Sequence, residues 1–149
     1  MTRLTPAEIT ALQQNFAGVK KDIQRLGNNL FARYLYGNPA DMKFFPKFAD
    51  VPIVELASNP EFNAQTLTVL EFLAQVVDNI GDGAKAKNLL RERAKTHKPR
   101  GIRIAQFERL LDLVPRFLEE EAGASGEVAD AWRVLIASLM PALRDQYAK

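Results

Sequence analysis

His97 is the one histidine in 149 residues, and cysteine is absent. A transition metal or metal-bearing cofactor held by this chain therefore has a single imidazole nitrogen to draw on and no thiolate. The residue lies in the stretch Arg91 to Ile102, RERAKTHKPRGI. Its neighbours Lys95, Lys98 and Arg100 support another reading, a solvated histidine favoured by the dipole at a helix C-terminus. Residue type alone leaves both open. Other chemistries are excluded by what is missing. A nucleophilic triad lacks a Cys–His pair and a G-x-S-x-G elbow. A zinc or di-iron centre needs clustered ligands, and no Glu-x-x-His pair occurs. Gly81-Asp82-Gly83 lacks the lysine and the spacing of a phosphate-binding loop. No catalytic residue is expected.

Composition sets the frame for that histidine. The length suits one domain over residues 1–149, and 47% apolar with 26% charged residues is ordinary for a globular protein. A net charge of +2 is too small to call for nucleic acid or membrane. The basic run Arg91, Arg93, Lys95, Lys98, Arg100 and Arg103 is the strongest surface signal. Without interleaved aromatics it is a weak nucleic-acid patch; a solvated helix end or an anion site beside His97 are its other readings. No disulfide framework can form. The start MTRLTPAEI has no apolar signal core, and no apolar run reaches membrane-spanning length. A cytoplasmic protein with neither nucleic-acid nor membrane partner is expected.

Periodicity then supplies the elements that must carry the site. Thr5-Pro6-Ala7-Glu8 reads as a capping box opening a helix, with Ile9, Leu12, Phe16 and Val19 on one side. A second helix is expected from about Lys21 to Tyr36, carrying Gly27 in its interior, where a close helix crossing is the simplest reason for glycine. Gly37-Asn38-Pro39 breaks it. Val51 to Ala57 can form a brief helix. Ser58 and Glu61 read as a second capping box, opening a long helix to Ile80 with Gln65 and Thr66 near its inward stripe. Another helix spans about Ala84 to His97, where Leu90 and His97, seven apart, share the inner face. Pro99 and Gly101 stop it. Helices over about Ile102–Glu120 and Glu127–Tyr147 complete the chain, with Pro115 and Pro141 expected to bend them. The chain is all-α.

Phe44, Phe45 and Phe48 fall between helices, where each aromatic ring wants burial. They either pack a core or cover a flat apolar ligand. Phe31 stands fourteen residues before Phe45, Gly27 four before Phe31, and Pro39 opens a turn. Gln65 and Val69 are four apart, and His97 follows Gln65 by thirty-two residues. Over essentially the whole chain these positions resemble the globin family. The HKPRGI stretch, Asp130-Ala131-Trp132 at the start of the last helix and the short corner after His97 are most similar to invertebrate, molluscan globins.

That resemblance implies a globin fold of seven to eight helices around one pocket for haem b (iron protoporphyrin IX). It makes His97 the axial iron ligand, with Thr96 or a backbone carbonyl holding the other ring nitrogen. Phe45, Phe48, Val69, Leu90, Arg93, Ile102, Phe107 and Leu110 are implied as cofactor contacts, and Gln65, Phe31 and Val69 as the distal ligand pocket. For Phe31 and Val69, plain core packing explains the residues almost as well. Gln65 departs from the usual distal histidine. An amide can donate a hydrogen bond to bound dioxygen but does not titrate near neutral pH, which favours reversible binding over peroxidase-like chemistry. Arg93 departs too, standing where the family places an apolar contact. It can turn outward, with its guanidinium near a haem propionate. Phe16 replaces a common tryptophan, a packing change.

The function implied is storage, transport or facilitated diffusion of dioxygen, with carbon monoxide and nitric oxide as further diatomic ligands and no enzymatic role. The alternative is haem redox or small-ligand chemistry: nitric oxide dioxygenation, nitrite reduction, peroxide turnover or sulfide binding. A homodimer or higher oligomer through globin helices is left open.

Overall fold

A computed structural model describes residues 3–149; Met1 and Thr2, at the start of the stretch read for a signal core, lie outside them. Four of the six α-helices begin where a short polar side chain satisfies a free N–H group. Glu8 N donates to Thr5 Oγ1 at 3.1 Å and Thr5 N to Glu8 Oε1 at 2.8 Å, so the expected capping box opens α1 (Pro6–Lys20). Asp82 caps α4 (Gly83–His97) through Lys85 N, and Ser125 caps α6 (Gly126–Tyr147) through Val128 N. Between them lie α2 (Ile23–Gly37), α3 (Pro60–Asp78) and α5 (Ile104–Glu121). Short 3₁₀ helices cover Pro39–Phe44, Ile53–Ser58 and Lys98–Arg100. The last runs straight on from α4, so the described residues form eight helical segments and no strand.

Two local expectations shift. The cap of α3 is Asn59, whose Oδ1 accepts from Phe62 N at 3.0 Å, and not Ser58. Ser58 ends the preceding 3₁₀ turn, where its hydroxyl donates to Glu55 O. The helix after the corner starts at Ile104, because Gly101 takes a left-handed φ of 82° and the turn extends through Arg103. Both internal prolines are accommodated: α5 runs through Pro115 and α6 through Pro141.

Packing divides into two apolar clusters. The larger joins all six α-helices around Leu12, Phe16, Leu30, Leu73, Phe117, Trp132 and Leu139. The smaller gathers Phe31, Tyr34, Leu35, Phe48, Leu56 and Phe62 beneath the 3₁₀ turns. At the crossing of α2 and α3, a Cβ on Gly27 would lie 2.9 Å from Thr66 O, so the predicted close approach is present and admits only glycine without a shift. Side chains lock that crossing. Gln24 Nε2 donates to Asn28 Oδ1, Asn63 O and Thr66 Oγ1, and Asn28 Nδ2 donates to Asn63 Oδ1. Thr66, fully buried, donates to Asn28 Oδ1. The rotation of α3 about its axis, and with it the direction of Gln65 and Val69, is thereby set.

Candidate functional site: a one-histidine cavity

Beside these clusters lies a cavity of about 320 Å³, at the lower end of the range typical for small-molecule sites. Phe31 and Tyr34 of α2, Phe45 of the following turn, Gln65 and Val69 of α3, and Leu90, Arg93 and His97 of α4 all border it. Ile102, Phe107 and Leu110 complete the wall. Every residue predicted for the site except Phe48 therefore borders one space. Phe48 lies one layer back. It stacks behind Phe45 at 5.5 Å and meets Phe62 edge-on at 5.4 Å, so it backs the wall without forming it.

His97 is held from two directions. Its Nδ1 lies 2.7 Å from Arg93 O and 2.9 Å from Thr96 Oγ1. A carbonyl can only accept, so Nδ1 carries the proton and Nε2 is left with its lone pair. The Phe107 ring, 5.3 Å away, limits rotation of the imidazole. Burial pushes the His97 pKa down, the hydrogen bond to Arg93 O opposes this, and the charges of Arg100 and Arg93 lower it further. A neutral imidazole with one free, basic nitrogen results. His97 is half-buried and borders the cavity.

Facing it are residues of a different kind. Phe31 is 2% exposed, stacked on Tyr34 at 5.5 Å and Phe62 at 6.0 Å, and meets Phe45 edge-on at 5.1 Å. Gln65 is half-buried at the cavity. Its neighbour Thr66 is engaged in the α2–α3 network, whereas the Gln65 amide takes no part in it. Gln65 and Thr68 of α3 thus bring polar groups to a wall that Phe31, Phe45 and Val69 make largely apolar.

Arg93 resolves differently from the apolar contact usual in the family. The residue borders the cavity, and its guanidinium lies over the Phe72 ring, 4.8 Å from the centroid. The corner after His97 is tied to the end of α6. Lys98 Nζ donates to Tyr147 O at 2.9 Å and Lys149 O at 2.8 Å, and Tyr147 Oη donates to Ile102 O at 2.6 Å.

Sequence reading missed one group altogether. Asp41 is 4% exposed, accepting from Tyr34 Oη at 2.5 Å and from Arg109 Nη1 at 3.3 Å. Burial, then the hydrogen bond and charge of Asp41, hold the Tyr34 phenol far above its ordinary pKa, so it stays a donor. This buried pair fixes the ring against which Phe31 stacks. The only signal in the sequence was an aspartate two residues after Pro39, in a turn too short to suggest burial.

Among the described residues no group of three or more metal-ligating side chains comes together. A metal bound at His97 must therefore bring its other ligands with it, as the iron of a porphyrin does. The apolar walls, the flat Phe45 ring, one free imidazole nitrogen, and Arg93 and Arg100 at the cavity fit such a group with its carboxylates.

Comparison with known proteins agrees in kind. The Globin family model matches residues 28–143. A myoglobin of Scomber japonicus is 31% identical over 126 residues, 83% of this chain and 84% of its own length. A globin of Nerita albicilla is 26% identical, over 87% of this chain and 83% of its own. Among solved structures, the Drosophila melanogaster globin is similar in fold, with a TM-score of 0.88 at 19% identity, covering 95% of this chain and 94% of its own. The chain belongs to the globin family. The expected likeness to molluscan globins is met, alongside one to a fish myoglobin.

Proposed function

We propose that this globin binds haem b through His97 and takes up dioxygen reversibly, with Gln65 as the polar partner of the ligand. The observation that carries the reading is the tethered, neutral His97 with Nε2 free beside an apolar cavity. Haem, when bound, would supply an iron able to take up a small ligand. His97 would hold the iron, its Nδ1–H fixed by Arg93 O so that the ring keeps one orientation. The Gln65 amide would donate a hydrogen bond to a ligand carrying partial negative charge. Because that amide neither gains nor loses a proton near neutral pH, it does not push the ligand toward bond cleavage. Phe31 and Val69 would fill the same space with apolar bulk, keeping water from the ligand and so slowing oxidation of the ferrous group. Phe45, Leu90, Ile102, Phe107 and Leu110 would grip the macrocycle, with Phe48 pressing Phe45 into place.

The test is an absorption spectrum of the purified protein in ferric, ferrous and carbon monoxide forms. His97→Gly should lose the haem band and regain it with added imidazole; a band unchanged without imidazole would overturn the axial assignment. Stopped-flow mixing with peroxide, nitric oxide and sulfide tests the carrier role, and fast turnover of any of them defeats it.

A further inference from the structure

Thr96 stands where solvent and cavity meet. It is exposed, yet it borders the cavity, and its Oγ1 donates to Arg93 O at 3.1 Å and lies 2.9 Å from His97 Nδ1. A hydroxyl open to solution is thus one hydrogen bond away from the imidazole. The residues ahead of it are distinctive too. Arg91 and Arg93 precede Thr96 by five and three residues, and no other serine or threonine of the chain has arginine at both of those places.

That spacing suits a kinase cleft that holds carboxylates for cations ahead of the acceptor hydroxyl, where each arginine gains a charge-assisted hydrogen bond. Such a cleft takes its substrate extended, so the last turn of α4 has to open. The opening costs little. α4 buries only Ala86, Leu90 and Ala94, and none of residues 95–101 is buried. Pro99 and the left-handed Gly101 already keep the following chain from continuing the helix. Lys98 ties this end to Tyr147 O and Lys149 O, where α6 itself ends, and helix ends open most readily.

We propose that Thr96 is a phosphorylation site for a protein kinase directed by basic residues, and that the phosphate weakens the hold on haem. The second half rests on the haem reading above. In the transfer, Thr96 Oγ1 forms a bond to the γ-phosphorus of ATP and the bond to the β-phosphate oxygen breaks. ADP leaves with that electron pair, and the hydroxyl proton passes to the kinase's base. The product carries a charge of roughly −1.5 to −2 at pH 7 in the last turn of α4, where the helix dipole disfavours it, so the turn that carries His97 loosens. The bond that Thr96 donates to Arg93 O is lost with its proton. Arg93 and Arg100, which border the cavity with Thr96, are drawn to the phosphate and away from the carboxylates of haem.

The test incubates the ferric holoprotein, and separately the haem-free full chain, with protein kinase B and magnesium ATP, and maps the phosphate by mass spectrometry. Thr96 should be the residue modified. Arg91→Gln with Arg93→Gln should slow the transfer by on the order of 10–100-fold, the loss of charge-assisted contacts to the cleft. Release of haem from the ferric holoprotein to excess serum albumin, followed by absorption, should quicken about tenfold on phosphorylation. Phosphatase treatment should restore the parent rate, which a protein damaged by handling would not do. Thr96→Val should release haem at one rate with or without kinase and ATP. Phosphate missing from Thr96 in both forms, or placed there as fast in the double glutamine variant, overturns the proposal. So does haem release indifferent to the phosphate. A protein without a haem band sinks the proposed function and the retention half with it; a protein that holds haem and takes no phosphate at Thr96 sinks this proposal alone.

Discussion

α3 and α4 border the same cavity with unlike means. α3 buries Phe62, Thr66, Leu70, Phe72, Leu73, Ala74, Val76 and Val77, whereas α4 buries only Ala86, Leu90 and Ala94. The Gln65 side is fixed by volume: a glycine crossing, a packed aromatic cluster and a closed polar network. The His97 side is fixed by directed bonds: Nδ1 to a carbonyl, Lys98 and Tyr147 to the chain on either side, and a guanidinium on a ring. One face should therefore resist changes of size, and the other should tolerate them but respond to changes of charge.

The hardest test of that contrast is Phe31→Ala, which removes a side chain packed against three other aromatics. It should cost about 3–5 kcal/mol in urea unfolding of the haem-free protein, and it should speed carbon monoxide release by enlarging the pocket. Tyr34→Phe comes next. Asp41 would keep only Arg109 as partner, and an unsatisfied buried acceptor costs about 1–3 kcal/mol. Adding Asp41→Leu should recover part of the loss, because no carboxylate is then left buried. Arg93→Leu is the opposing case on the His97 side. Loss of the contact with Phe72 should cost no more than about 1 kcal/mol, and a loss as large as that of Phe31→Ala would break the contrast.

The smallest effect is set by pH. Arg33 donates to Glu120 at 2.6 Å, which holds that carboxyl below its ordinary value despite some desolvation. The pair's contribution is full above the unfolded glutamate pKa and fades as pH falls through the lowered folded one. The stability gap between the parent and Arg33→Gln should therefore narrow as the solution is acidified below about pH 4.5. A gap that widens would place the effect elsewhere, since Arg33 also bonds Glu121 and covers Phe117.

Much of this was legible from the chain because it is local. Thr5 with Glu8, Gly27, and the inward pairing of Leu90 with His97 follow from helical spacing and capping chemistry. Ser58 misled because the first free N–H of α3 is met by the next residue, Asn59, while Ser58 ends the preceding turn and donates back to Glu55 O. The polar support of Phe31 was illegible for a different reason. Asp41 and Arg109 stand 68 residues apart, and no periodicity links a 3₁₀ turn to α5. Phe48 shows the same limit at short range, since spacing places an aromatic in a loop but cannot say whether it faces a cavity or the ring beside it. Arg93 was recognisable as a departure; its seat over Phe72 needed two helices in register.

The short corner is tied on either side of Gly101 to the end of α6: Lys98 reaches out from it to the carbonyls of Tyr147 and Lys149, and Tyr147 reaches in to Ile102 O. That corner is therefore a closed loop whose ends share one distant anchor, and most of its chain entropy is already removed in the folded state. Opening it requires α6 to fray first. Amide exchange at Ile102 and at the last turn of α6 should then rise and fall together, so that the looseness of one helix end meters the freedom of the histidine five residues away.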